Sequence, residues 1–130
     1  MEKVLVVLRG SPNSGKSSFA KLLGRAICCA DDWYIHKDNY KWDAKYLKNA
    51  HDWCQRKCER FMQKDVSPII IANTNITENL MQPYISMAEE FGYVTYFIVI
   101  ENRHGNKNSH NVPDETIEKM KSRLINSIKL

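Results

Sequence analysis

Gly10-Ser11-Pro12-Asn13-Ser14-Gly15-Lys16-Ser17 is the stretch that decides the fold. Its spacing is that of a phosphate-binding loop: a glycine, four residues, a second glycine, then Lys-Ser. Both flanks suit it. Val4-Leu5-Val6-Val7-Leu8 before it is an apolar β-type run, and Ser18-Phe19-Ala20-Lys21-Leu22-Leu23 after it opens a helical pattern. The strand aims the loop, and the helix start offers unpaired N–H groups and a positive dipole end to a polyanion. In such a loop Lys16 reaches the β- and γ-phosphates, and the Ser17 hydroxyl ligates Mg²⁺. Gly15 allows close backbone approach. Asn13 stands where many such loops carry another glycine, and Asn tolerates positive φ. The expected triphosphate contacts are Gly10, Ser11, Pro12, Asn13, Ser14, Gly15, Lys16, Ser17 and Ser18. No guanine-specific motif accompanies them, so ATP is the default nucleotide.

Composition bounds the rest. A chain of 130 residues makes one domain, 1–130, without room for a separate substrate domain. Hydrophobic content of 43% and charged content of 26% are ordinary for a globular protein. The net charge of +4 leans towards anionic partners. No stretch is long enough to span a bilayer and the N-terminus runs straight into a strand, so the expectation is a soluble, cytoplasmic protein with no membrane contact. Cys28, Cys29, Cys54 and Cys58 lack a metal-knuckle pattern and read as reduced thiols filling core positions.

Strand and helix patterns alternate along the chain, which predicts an α/β fold: a parallel sheet covered by helices on both faces. The expected order is a strand over 3–9, a helix from Lys16 to near Arg25 stopped at Gly24, and a short strand over 26–30. The segment 33–43 is too rich in Asn, Asp and Tyr to read as a helix. A long helix over about 44–64 follows, its stripe being Leu47, Ala50, His51, Cys54, Cys58 and Phe61. After Ser67-Pro68, a buried strand over 69–72 leads to Asn73-Thr74-Asn75. Thr77 is a candidate cap for the next helix, which Pro83 should kink or begin, and Gly92 should end it. A fourth strand over 93–100, a polar loop over 101–111 and a helix from Pro113 complete the pattern.

Ligands of open parallel sheets bind at the carboxyl ends of the strands. That rule brings the phosphate loop, Asp31-Asp32 and Asn73-Thr74-Asn75 to one cleft. Asp31, directly after the second strand, is placed to accept a proton from an acceptor hydroxyl. Asp32 is the alternative, though it also suits a turn or cap, as both aspartates would in a purely structural turn. The loop 101–111 suits a short lid, with Arg103 and Lys107 as cations for the transferring phosphate, or as plain surface charges.

These residues together resemble the small polynucleotide-kinase-like P-loop family, which includes the kinase half of phage polynucleotide kinase and the kinase-like domain of Nedd4-binding protein 2. The resemblance rests on the phosphate loop, Asp31-Asp32, Ala50-His51-Asp52-Trp53-Cys54-Gln55 and Pro68-Ile69-Ile70-Ile71-Ala72-Asn73-Thr74-Asn75. It continues through Met81-Gln82-Pro83-Tyr84, Gly92-Tyr93 and Asn108-Ser109-His110-Asn111-Val112-Pro113. It implies a P-loop kinase fold with four parallel strands, Asp31 as the carboxylate that activates a 5′-hydroxyl, and Lys16 and Ser17 as phosphate and metal contacts. It also implies that Asn73-Thr74-Asn75 lines the cleft and that Lys107, less securely Arg103, matches the lid cation.

Three departures stand out. Family members often carry an acidic residue at the end of the third strand, where this chain has Ala72-Asn73, so Asp31 or Asp32 would have to serve the Mg²⁺ waters. The phage enzyme has an arginine shortly after its Asp-Asp; here Trp33-Tyr34-Ile35-His36-Lys37 follows, which moves that contact to Lys37 or Lys41 or removes it. The lid is short and poor in arginine.

Trp33, Tyr34, Tyr40, Trp42 and Tyr46, interleaved with Lys37, Lys41 and Lys45, suit a single-stranded acceptor, because rings stack on bases while lysines meet phosphates. Some of these rings could equally close the core. The leading expectation is an ATP- and Mg²⁺-dependent kinase acting on a 5′-hydroxyl of RNA or DNA in nucleic-acid repair, with room for a ligase or phosphatase as functional partner. The rivals are a kinase of a nucleoside or other small hydroxyl compound, and a nucleotide-binding regulatory module without transfer activity.

Overall fold

The computed structural model describes residues 2–11, 14–36, 43–74 and 77–101. The apolar run before the phosphate loop forms strand β1 (Val4–Arg9), and the loop opens helix α1 (Lys16–Leu23). Strand β2 (Ala26–Cys28) leads into a short helix α2 (Asp32–His36). One turn of 3₁₀ helix, Ala44–Tyr46, precedes helix α3 (Leu47–Gln63). Strand β3 (Ile69–Ile71), helix α4 (Glu78–Phe91) and strand β4 (Val94–Val99) complete the described elements. The expected lid and last helix lie beyond Glu101, outside the described residues.

The four strands make one parallel sheet in the order β2-β3-β1-β4, the expected α/β fold. Successive side chains of a strand point to opposite faces, and the two cores follow that alternation. Leu5, Val7, Cys28, Ile69 and Ile71 face α3 and α4 on one side of the sheet. Val6, Leu8 and Ile70 face Ala20 of α1 on the other. Strands buried on both faces read as unbroken apolar runs, which is why Ile69-Ile70-Ile71 is legible without any alternation.

The helices refine the expectations. Gly24 ends α1, and Gly92 ends α4 in the left-handed region at φ 74°, where Tyr93 N–H returns to the Ala88 carbonyl at 2.8 Å. The buried line on α3 is Ala50, Cys54, Cys58 and Met62. Leu47 is exposed and Phe61 only half-buried, so the stripe follows the i, i+4 ridge more strictly than its pattern suggests. Helix α4 starts at Glu78 and runs through Pro83. Thr77 occupies its N-cap position with extended backbone, but its side chain makes no capping bond; its carbonyl accepts from Leu80 and Met81 N–H.

The polar segment after Asp31 is partly helical because Tyr34 is buried, its hydroxyl donating to the Asp43 carbonyl at 2.8 Å. That bond ties α2 to the start of the 3₁₀ turn, which the Asp43 carboxylate caps by accepting from Lys45 N–H at 3.0 Å. Among the described residues no helix is long and apolar enough to cross a membrane.

Candidate active site

Topology sets the position of the site. The chain leaves β1 for α1 on one face and leaves the adjacent strand β3 for α4 on the other. Neighbouring strands whose connections part in this way open a crevice at their carboxyl ends. The phosphate loop stands on one side of that crevice and Asn73-Thr74 on the other; Asp31 closes the end of β2.

The loop is tightly built. A Cβ on Gly10 would lie 2.6 Å from the Ile100 carbonyl oxygen and 2.6 Å from Ser14 Oγ, so only glycine fits between the loop and the end of β4. Gly15 has φ 100°, a conformation that L side chains rarely adopt, and it turns the chain into α1, where Phe19 N–H bonds the Gly15 carbonyl at 3.0 Å. The Lys16 ammonium is buried and donates to the carbonyls of Gly10 at 2.9 Å and Ser11 at 2.8 Å, with Ser14 Oγ at 3.4 Å. Burial lowers its pKa to about 8, while the Asp31 carboxylate pulls it back upward. Ser17 and Ser18, in the first turn of α1, are exposed. Ser11 and Ser14 are buried, and Pro12 and Asn13 lie outside the described residues.

Asp31 is half-buried at the turn after β2, where Trp33 N–H bonds the Ala30 carbonyl and Tyr34 N–H bonds that of Asp31. Its charge is felt by Lys16, Cys29, Tyr34 and His51, so it stands among the loop lysine, α2 and α3. Asp32, also half-buried, is the first residue of α2, a position where a carboxylate complements the helix dipole. Trp33 is half-buried, edge-on to Tyr34 with ring centroids 5.1 Å apart and tilted on Tyr46 at 5.7 Å. Thr74 is half-buried. Asn73 is buried, its amide bonded to protein groups, which sets it apart from a residue lining the cleft. Lys37, Lys41, Asn75, Arg103 and Lys107 lie outside the described residues.

The donor set fits a triphosphate: a glycine-walled loop, a buried ammonium and an exposed helix start. For Mg²⁺ the chain supplies the exposed Ser17 hydroxyl and the carboxylates after β2. Among the described residues no three histidine, cysteine or acidic side chains gather as a closed metal site.

Comparison with known proteins bears on the fold. The family described as an AAA domain matches residues 5–125. The chain belongs to that family. Human NEDD4-binding protein 2 is 39% identical to this AAA domain over 99 residues, covering 72% of the chain and 6% of the human protein. A chain of the Pnkp1/Rnl/Hen1 RNA repair complex superposes over 97% of the domain and 45% of its own length, with a TM-score of 0.73 and 18% identity. The APS kinase CysC of Mycobacterium tuberculosis superposes over 96% of both chains, with a TM-score of 0.50 and 12% identity. The domain thus has a P-loop kinase-like fold, and the resemblance read from its motifs is borne out.

Two neighbours of the candidate site are less visible in the sequence. His51 reads as an ordinary residue of the buried stripe, yet it is half-buried within reach of the Asp31 charge. Burial lowers its pKa, and Asp31 and Asp52 oppose that shift. Tyr84 reads as a core ring of α4, but it is 1% exposed and its hydroxyl sits in a polar cluster with Cys54 and Asn73. The available signal was the rule that a buried tyrosine hydroxyl needs a partner.

Proposed function

We propose that this domain is an ATP- and Mg²⁺-dependent phosphotransferase whose acceptor is a 5′-hydroxyl end of single-stranded RNA or DNA. The observation that carries the proposal is Asp31, a half-buried carboxylate at the tip of β2 within electrostatic reach of the loop lysine. A carboxylate there can take the proton of an attacking hydroxyl while Lys16 meets the transferring phosphate. Phosphate oxygens compete with the Gly10 and Ser11 carbonyls for the Lys16 ammonium, and the N–H groups opening α1 add a positive field. Mg²⁺, when bound, neutralises charge on the β- and γ-phosphate oxygens. Ser17 and Asp32 are its assigned protein contacts, with Arg103 and Lys107 assigned to the transferring group.

The acceptor assignment is supported by the chemistry beside Asp31. Trp33 and Tyr46 form a ring pair just after Asp31, with Lys45 Nζ 5.3 Å from the Tyr46 centroid, and Lys37, Lys41, Thr74 and Asn75 are assigned to the acceptor strand. Stacking on such rings contributes about 1–3 kcal/mol per base. A second reading, a small hydroxyl compound as acceptor, is favoured by the packing of Trp33 against the core.

The test is transfer of labelled phosphate from ATP with Mg²⁺ to a 5′-hydroxyl oligonucleotide, beside nucleosides. Asp31→Asn is expected to lower kcat by about 10²-fold or more with ATP affinity retained, and Lys16→Ala to abolish transfer. Transfer to nucleosides alone would select the second reading. ATP binding without transfer to any acceptor would make the domain a binding module.

A further inference from the structure

We propose that Asn73 is a positioning residue for Asp31, and that Tyr84 and Cys54 set the orientation of its amide. The inference deepens the proposed function and rests on Asp31 being the proton acceptor.

The β2–β3 ladder pairs Ala26 with Ile69, Ile27 with Ile70 and Cys28 with Ile71. One bond prolongs it, from Ala72 N–H to the Cys28 carbonyl at 2.9 Å. A regular parallel ladder would next send Ala30 N–H to the Ala72 carbonyl. Instead Ala30 N–H donates to Asn73 Oδ1 at 2.6 Å. A side chain thus takes over from the main chain two residues beyond the end of β2 and one residue before Asp31.

The amide that does this cannot turn over. Its Nδ2 donates to Tyr84 Oη at 3.2 Å and to Cys54 Sγ at 3.4 Å, and the Tyr84 hydroxyl donates to the same sulfur at 3.2 Å. Each hydrogen of the amide has an acceptor, and Tyr84 accepts one proton while passing its own to Cys54. Reversing the amide would set Nδ2 against the Ala30 N–H, two donors facing each other. Asn73, Tyr84 and Cys54 are all buried, at 4%, 1% and 0% exposure, so no water replaces these bonds cheaply. Burial also raises the Cys54 thiol to about 11 and pushes the Tyr84 hydroxyl up, so both stay neutral. The network therefore ties the end of β2 to β3, α3 and α4 through one carboxamide.

The consequence falls on Asp31. From Ala30 the chain enters the turn in which Trp33 N–H bonds the Ala30 carbonyl, so the position of Ala30 sets where the Asp31 carboxylate emerges. Misplacing a catalytic group by about an ångström costs on the order of 10²-fold in rate. An aspartate at position 73 keeps the acceptor for Ala30 N–H, and an alanine does not.

The experiment compares Asn73→Ala, Asn73→Asp and Tyr84→Phe in the transfer assay, with ATP affinity and amide exchange at Ala30 measured on the same samples. Asn73→Ala is expected to lower kcat by about 10-fold to 10²-fold with KM for ATP within about twofold, and to speed exchange at Ala30. Asn73→Asp is expected to keep slow exchange and most of kcat, and Tyr84→Phe to fall between. In an Asp31→Asn background Asn73→Ala should add little, because its effect passes through that carboxylate. Unchanged kcat and exchange in folded Asn73→Ala would overturn the proposal. So would an equal loss with and without Asp31, or failure of all three variants to fold. If the wild type transfers nothing, the proposed function fails by itself, and exchange at Ala30 still decides whether Asn73 holds the turn.

Discussion

Under the proposed function, Lys16 would couple nucleotide binding to protons. Its buried ammonium has a pKa near 8, well below the ordinary lysine value, because removal from water disfavours the charged form. The sign follows directly. Below pH 8 both the folded and unfolded chains hold the proton, and burying that charge is a standing cost to the fold. Between about 8 and the ordinary value only the unfolded chain holds it, so the contribution of this group to stability rises with pH. A triphosphate beside the ammonium reverses the shift, so ATP should bind with uptake of a proton in that window. Calorimetry at about pH 9 in two buffers of different ionisation enthalpy should show close to one proton taken up per ATP, and almost none at about pH 7. ATP affinity should weaken by up to about tenfold per unit above pH 8, and Lys16→Met should remove both effects.

Elements differ in how much of themselves the residues disclose. β1, α1 and β3 are legible because an eight-residue loop motif and unbroken apolar runs have few structural solutions. α3 is legible as a helix but not in its rotation, since Leu47 and Met62 are both apolar and lie on neighbouring ridges. Met62→Ala should therefore cost about 2–5 kcal/mol, whereas Leu47→Ala should stay within about 0.5 kcal/mol by thermal unfolding. The site divides in the same way. Of the candidate residues, Asp31 and Lys16 follow from motif and topology, because a phosphate loop and a strand end fix where they stand. Asn73 does not, because an asparagine between a strand and a polar turn suits solvent as readily as a buried bond to Ala30. Only the approach of β2, α3 and α4, remote in sequence, decides between the two.

At the scale of the molecule, the sheet order leaves β1 between β3 and β4, and the loop it carries depends on both. Ile100 N–H bonds the Arg9 carbonyl at 2.7 Å, and the Ile100 carbonyl walls Gly10. A chain truncated after Phe91 would expose β1 as an edge and lose that wall. It is expected to show no cooperative unfolding transition and no ATP binding, read by thermal melts and nucleotide titration. The same order has a consequence for synthesis. Val4 pairs with Val94 and Leu5 with Ile69, so the earliest-made of the four strands is the last to acquire both neighbours. Long-range parallel pairing of this kind is slow and leaves strands unpaired while it waits. On the ribosome, the phosphate loop stays unsupported until the residues of β4 have emerged, and under the proposed function a nucleotide would act as a folding ligand only after that moment.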